Sequence, residues 1–261
     1  MSLSLCVLAS GSSGNCTLIR NGGSALMIDA GLSAREIKRR METAEGSLDE
    51  VTGVCISHEH SDHVAGLATL HQQHGIPIYA NRGTSEGMQR RNGLKDVPCR
   101  IFSTGQAFTV GSFTVEPFSV PHDAYEPVGF IISISEVKIG VVTDMGIATN
   151  LIRARLRECR ALVVESNHDV ALLRDSRRPA HLKQRIMSRQ GHLSNDAAAE
   201  LLTDIAGPHL DTVFLAHLSE DCNRGEIALK TTRRALAKAG HEHVNVILTY
   251  QDKASEVWRA G

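Results

Sequence analysis

No stretch of the sequence approaches the ~20 consecutive apolar residues that a helix needs to cross a bilayer, so a helical membrane protein is excluded. Neither sign of charge dominates. Lys and Arg number 28 against 29 Asp and Glu, leaving −1, so no global field draws the chain to nucleic acid or to an anionic membrane. Any such attraction has to come from local clusters. No two cysteines have C-x-x-C spacing; Cys6, Cys16, Cys55, Cys99, Cys159 and Cys222 are scattered. The opening "MSLSLCVLAS" has neither a basic start nor a long enough apolar run for an export signal. We therefore expect reduced thiols in a cytoplasmic protein, with Cys6 and Cys55 acting as small hydrophobes inside strands. Gly/Ser/Pro linkers, low-complexity runs and short-period repeats are also missing, and one domain over residues 1–261 is expected.

What is present suits a sizeable α/β core, with 42% hydrophobic and 22% charged residues. "CTLIR" and "SALMIDAG" flank "NGG", a hairpin signal. Ser33 with Glu36 has capping-box spacing ahead of "REIKRRMETA", and Ser194 heads a helix over "NDAAAELLTDI". Asn223 with Glu226 is read as the opening of another helix. Strands are expected at "VTGVCIS", "QAFTV", "SFTVEPFSV", "VGFIISI", "KIGVVT", "ALVVES", "TVFLAH" and "VNVILT". This order predicts two packed sheets with helices outside, and it suits a two-half pseudo-symmetry.

"SHEHSDHVAG" places His58, His60, Asp62 and His63 within six positions at the end of a β-rich run. That is more metal-coordinating side chains than one ion takes from so short a stretch. Further strands end on residues of the same type: His122, Asp144, Glu165 and His217, with His192 just ahead of the Ser194 helix. Strand ends of one sheet share an edge, so these side chains can converge. A His-rich surface loop is the bland alternative, and the repeated strand-exit placement argues against it. His71, His74, His181, His209, His241 and His243 lack such placement and are read as solvent-facing. "ASGSSGNC" lacks the phosphate-loop pattern and is read as a tight turn that can still line the cleft.

H-x-H-x-D-H, then a lone His, "TDMG", and a late His in "AHLSEDCN" resemble the metallo-β-lactamase superfamily. "MIDAG" fits it too, with Asp29 bracing the metal loop. "SGSSGNC", "PHDAYEPVGF", "ESNHD" and "LKQRIMSRQGHLSNDAA" are most similar to its YycJ/WalJ group, related to tRNase Z, PhnP and RNase J-type phosphodiesterases. The resemblance implies an α/β fold: an αββα sandwich of two mixed β-sheets with helices on the outer faces. It implies two divalent ions, one held by His58, His60 and His122, the other by Asp62, His63 and His217, with Asp144 bridging. Zinc or manganese suits these ligands, and so does iron. Glu165 with His192 matches the pair by which the phosphodiesterases orient a proton-donating histidine; Asp62 is counted with the catalytic residues. His168 and Asp169 in "ESNHD" resemble family residues near the site and are left unassigned, with surface polar residues as the default reading.

The activity implied is phosphodiester hydrolysis, as a DNA exonuclease working 5′ to 3′. Hydrolysis of a small cyclic ribose phosphate, as in PhnP, is the rival, and acyl hydrolysis of a thioester or lactone a more distant one. Arg174, Arg177, Arg178, Lys183, Arg185 and Arg189 lead into His192, against Asp175 alone. A charge run is usually a solvated helix face. Here its position favours a phosphate-backbone track, with Arg174, Arg177 and Arg178 as substrate-binding residues. Only 72 residues separate Asp144 from His217, too few for an added β-CASP domain. A tRNA-gripping arm is not evident either. Nucleic acid, DNA before RNA, must then be held by the body's own surface or by a homodimer, and no membrane partner is expected.

Overall fold

A computed structural model describes residues 3–91 and 93–261. The first half runs β1 (Leu3–Ala9), β2 (Cys16–Asn21), β3 (Ser24–Ile28), α1 (Ala34–Thr43), β4 (Val51–Cys55), α2 (Ser61–Val64), α3 (Leu67–His74), β5 (Ile78–Ala80), α4 (Arg82–Gln89) and β6 (Cys99–Ile101). The second half runs β7 (Phe108–Val110), β8 (Phe113–Ser119), β9 (Val128–Ile134), β10 (Val137–Val142), α5 (Asn150–Leu156), β11 (Ala161–Glu165), α6 (Val170–Asp175), α7 (Ala180–Ile186), α8 (Asn195–Ile205), β12 (Thr212–Ala216), α9 (Gly225–Lys238), β13 (Asn245–Leu248) and β14 (Trp258–Arg259).

Each half folds by the same scheme. One sheet has the order β14-β1-β2-β3-β4-β5-β6, the other β13-β12-β11-β10-β9-β8-β7. In both, an antiparallel meander gives way to parallel strands: β3 pairs parallel with β4, and β10 with β11. The parallel strands are the ones followed by helices, because a parallel neighbour requires a crossover. This is the pseudo-symmetry suggested by the element order.

Side-chain alternation sorts the chain into four layers. Leu3, Leu5 and Val7 of β1 point into a core shared with Phe113, Phe130 and Phe214 of the other sheet. Cys6 and Leu8, one residue out of phase, face the helices with Ile37 and Met41 of α1. Behind the second sheet, Ile152, Leu201, Leu202 and Leu236 of α5, α8 and α9 cover Leu162, Val213 and Leu215. The architecture is therefore the αββα sandwich. Among the described residues no helix is long and apolar enough to cross a membrane, and all six cysteines are free thiols, with Cys6 and Cys55 buried in strands.

Two helix starts differ from the sequence reading. Ser33 caps α1 by accepting from the Glu36 amide, but the Glu36 carboxylate turns away to Arg39 and Arg40 instead of returning to the cap. Arg40 is buried and also donates to the Leu8 and Gln251 carbonyls, so a buried guanidinium outcompetes a backbone N–H. Asn223 does not cap α9, whose N-cap is Arg224 without a side-chain bond. Its amide is buried and donates to the Ser166 and Asn167 carbonyls, fastening the loop after β11.

Candidate metal centre

β3 and β4 run parallel, and so do β8, β10, β11 and β12 through their shared antiparallel and parallel neighbours, so each group of carboxyl ends opens on one edge. Asp29, residues 57–63, His122, Asp144, Glu165 and His217 stand at those exits. Three of them take backbone conformations that β-carbons disfavour: φ is +60° at Asp29, +55° at Asp144 and +55° at His217. Left-handed backbone at a strand exit is a strained way to turn a side chain back over the sheet edge, and such strain persists where surrounding structure fixes it.

On one side of the centre the His58, His60 and His122 rings crowd together. His58 Nε2 lies 3.1 Å from His60 Nδ1, which lies 3.4 Å from His122 Nε2. Burial, aided by neighbouring imidazoles, pushes the His58 and His60 rings toward the neutral form. Neutral imidazoles facing one another at this distance present lone pairs to a common point.

The other side holds more charge. Asp62 Oδ2 is 3.5 Å from both His63 Nε2 and His217 Nε2. Asp144 lies between the two groups, with Oδ2 3.2 Å from His63 Nε2, and Oδ1 3.5 Å from His217 Nε2 and 3.9 Å from His122 Nε2. Burial opposes charge on the His217 ring, yet Asp144, Asp62 and Glu165 overcome it and hold its pKa up at about 10. Burial likewise opposes charge on Asp144, but His217 and His63 keep it well below the ordinary carboxylate range.

These donors fit divalent metal. Ligand atoms of His58, His60 and His122 lie within 4.8 Å of one another, as do those of Asp62, His63 and His217, and those of His58, His63 and Asp144. Asp144 Oδ2 and His217 Nε2 are also buried without any hydrogen-bond partner. Buried polar atoms are almost always satisfied, so two orphans aimed into a cluster of imidazoles mark a place for a cation. Mixed imidazole and carboxylate donors suit it chemically.

The surrounding shell orients these rings. Asp29 accepts from the Ser57 amide and hydroxyl, each at 2.8 Å, and from His63 Nδ1 at 2.8 Å, which leaves Nε2 to face the centre. Ser10 Oγ accepts from the His217 amide at 2.7 Å. Asn15 donates to Asp62 Oδ2 at 3.2 Å and places its amide 3.0 Å from His63 Nε2, so the Ser10–Asn15 loop does line the centre. Beside it, Glu165 is fully buried; Oε2 accepts from the Met145 and Leu193 amides, and Oε1 meets His192 Nδ1 at 2.7 Å. Burial would raise the Glu165 carboxyl, but His192 and its other donors bring it down to about 2.

A sequence profile described as the β-lactamase superfamily domain matches residues 25–218, from β3 through the late histidine. The chain belongs to the β-lactamase superfamily. Within it, exodeoxyribonuclease YycJ of Bacillus anthracis is 37% identical over 92% of this chain and 91% of its own length. Exodeoxyribonuclease WalJ of Streptococcus pneumoniae (serotype 2, strain D39) is 34% identical over 89% and 88%. In fold, the metallo-β-lactamase fold protein YhfI of Bacillus subtilis superposes over 100% of both chains with a TM-score of 0.75, at 16% identity.

The superfamily motif thus gathers His58, His60, Asp62, His63, His122, Asp144 and His217 in one cluster, with Glu165 and His192 beside it. The basic segment is not gathered as a unit. Arg174 and Arg177 are exposed and do not line the cleft; Arg178 and Arg185 do, paired with Asp221 at 2.8 Å and Asp123 at 2.6 Å. Two short helices with a bend between them turn different residues to different sides, so only part of the run lines the cleft. His168 is also not a surface residue: it is 2% exposed, with Nδ1 buried and unpartnered, and its backbone bridges to Ser194. Of the histidines expected in solvent, His71 and His241 are half-buried. Glu59 went unnoticed in the sequence; it is buried between two ligand-type histidines and accepts from the Tyr125 amide at 3.1 Å.

Proposed function

We propose that the protein is a metal-dependent phosphodiesterase that degrades DNA exonucleolytically from the 5′ end, with residues 1–261 acting as one hydrolase domain. His58, His60 and His122 hold one divalent ion, Asp62, His63 and His217 a second, and Asp144 reaches both; zinc or manganese suits the donors, as does iron. When bound, such ions supply Lewis acidity toward a phosphate and make water nucleophilic at neutral pH.

The chain's own contribution to bond breaking falls to His192. A DNA phosphodiester expels an alkoxide, a poor leaving group, and a positioned imidazolium that protonates it accelerates departure. Glu165 binds Nδ1 and so leaves Nε2 to carry the mobile proton. Burial disfavours that charge, but Glu165 and then Asp144 outweigh it and raise the His192 pKa. The 2.7 Å Glu165–His192 contact is the observation that carries the phosphodiesterase reading over thioester hydrolysis, because expulsion of a thiolate has no need of a proton donor. The likeness to two exodeoxyribonucleases along nearly the whole chain supports DNA as the polymer.

The test is one comparison. Metal-loaded protein is incubated with end-labelled DNA, a cyclic ribose phosphate and a thioester. Release of labelled mononucleotide from DNA at the highest kcat/KM is the expected result. Faster turnover of the cyclic diester or the thioester would reverse the assignment.

A further inference from the structure

The loop of residues 121–127, which carries His122 into the metal centre, has two sides. Toward α7, Asp123 pairs with Arg185. Toward α4, Tyr125 and Glu126 pack on the helix through its two glycines. A β-carbon on Gly87 would lie 2.9 Å from Tyr125 Cδ2 and 2.6 Å from Glu59 Cγ, and one on Gly83 would lie 2.6 Å from Glu126 Cβ. Bare backbone is what permits so close an approach.

Tyr125 is 52% exposed, the most open aromatic residue among those described. A lone exposed ring needs no explanation. This one is held in place. Its amide donates to the Glu59 carboxylate at 3.1 Å, and Glu59 is buried between His58 and His60 in the sequence. Arg90 donates to the Tyr125 hydroxyl, with its guanidinium carbon 5.0 Å from the ring centroid. Cations surround the ring's side of the molecule. Arg82, Arg90 and Lys95 are exposed and Arg91 is half-buried, against Glu86 and Asp96 as the acids of residues 82–98. Arg91 also borders Ser61 and Val64 of α2, the helix that bears Asp62 and His63. The charges of Arg178 and Arg185 are met by Asp221 and Asp123, whereas none of these four cations joins an ion pair among the described residues.

We propose that Tyr125 is a stacking platform for one base of a single-stranded DNA substrate near the scissile phosphate, with Arg90 and Arg91 on flanking phosphates. The inference rests on the phosphodiesterase reading and deepens it by naming a polymer contact on the α4 side of His122. An unpaired base has a free face to lay on the ring, whereas a base inside a duplex is covered by its neighbours. Every base has such a face, so the contact tolerates any sequence. Guanidinium groups without carboxylate partners are open to phosphate oxygens, which they bind with charge-assisted hydrogen bonds. Because Glu59 ties the ring's backbone to the ligand loop, a base stacked on Tyr125 fixes where the strand crosses the metal centre. Tyr125 is thus a binding residue, and Glu59 and Gly87 position it.

The test uses metal-loaded full-length protein and single strands of one sequence in which one base at a time, near the cut end, is replaced by an abasic sugar. For the first cut, the unmodified protein should lose roughly 5- to 150-fold in kcat/KM at one abasic position, the scale of a single base–aromatic stack. Tyr125→Ala should lose as much on the intact strand and nothing further at that position, while Tyr125→Phe, which keeps the ring, should stay close to the unmodified protein. Melting and metal content confirm that each variant is folded and loaded. Arg90→Ala combined with Arg91→Ala should flatten the salt dependence of log kcat/KM by about 1.4, since each single-strand phosphate contact contributes about 0.7. A Tyr125→Ala loss that simply multiplies with the abasic loss at every position would make the residue structural and overturn the platform. Tyr125→Ala cutting as fast as the unmodified protein would also overturn it, and an unchanged salt slope would overturn the part given to the arginines. Failure of the unmodified protein to cut any strand while it hydrolyses an aryl phosphodiester is a separate result, which would remove the DNA reading itself and the platform with it.

Discussion

Glu165 and His192, 27 positions apart, meet at 2.7 Å, and the same carboxylate holds the amides of Met145 and Leu193 at 3.0 Å. One buried acid thus joins the exit of β11, the residue after Asp144, and His192. Glu165→Gln keeps an acceptor for the amides but removes the charge that favours imidazolium. It should lower kcat on DNA by roughly 10²-fold, within the range of a lost general acid, while metal content stays the same. A parallel loss of metal would show that Glu165 serves the ligand cluster instead.

Metal stoichiometry follows from the two donor groups joined at Asp144. Elemental analysis of fully active protein should give close to two divalent ions per chain, and Asp144→Ala should reduce both content and activity. Chelation should lower Tm, and re-addition of zinc or manganese should restore it, because a ligand that binds only the folded chain stabilises it by mass action. One ion in fully active protein would contradict the bridging role of Asp144.

Asp29 contributes without touching the centre. It fixes Ser57 and the His63 ring through three contacts of 2.8 Å. Asp29→Asn loses the acceptor that sets the His63 orientation, and should weaken metal affinity by about 10- to 100-fold. Competition with a calibrated chelator measures this; unaltered affinity would make the contact incidental.

Gly31 is the point where two loops touch. A β-carbon there would lie 1.7 Å from the Asp62 carbonyl oxygen, an impossible approach to backbone beside the ligand cluster. Gly31→Ala should therefore displace the 58–63 loop, costing about 1–3 kcal/mol or more, with loss of metal. Gly23→Ala, whose β-carbon would meet nothing within 4 Å, is the control and should leave Tm nearly unchanged.

The fold was legible because its strands carry strong apolar patterns and end on chemically distinctive residues. His122, Asp144 and His217 could be placed on one edge without knowing any angle, since strand direction alone puts them there. What stayed hidden depends on long-range contact. Asn15 and His63 are 48 positions apart, and nothing local marks Asn15 as their meeting point. Asn223 has the spacing of a helix cap, yet the carbonyls of Ser166 and Asn167 claim its amide. Charge spacing likewise cannot say which sides of α6 and α7 face the cleft, so Arg174 and Arg177 read like Arg178, and of the three only Arg178 lines it.

The decisive measurement is the rate of His192→Ala on two phosphodiesters, one of which has a leaving group that needs no proton. A nitrophenolate departs from an aryl phosphodiester without a proton, whereas the O3′ of DNA does not. If His192 protonates the leaving oxygen, the variant should lose about 10²–10⁴-fold on DNA and far less on the aryl diester, with metal content unchanged. Equal losses on both substrates would contradict proton donation and make His192 a residue that positions the phosphate or supports the structure.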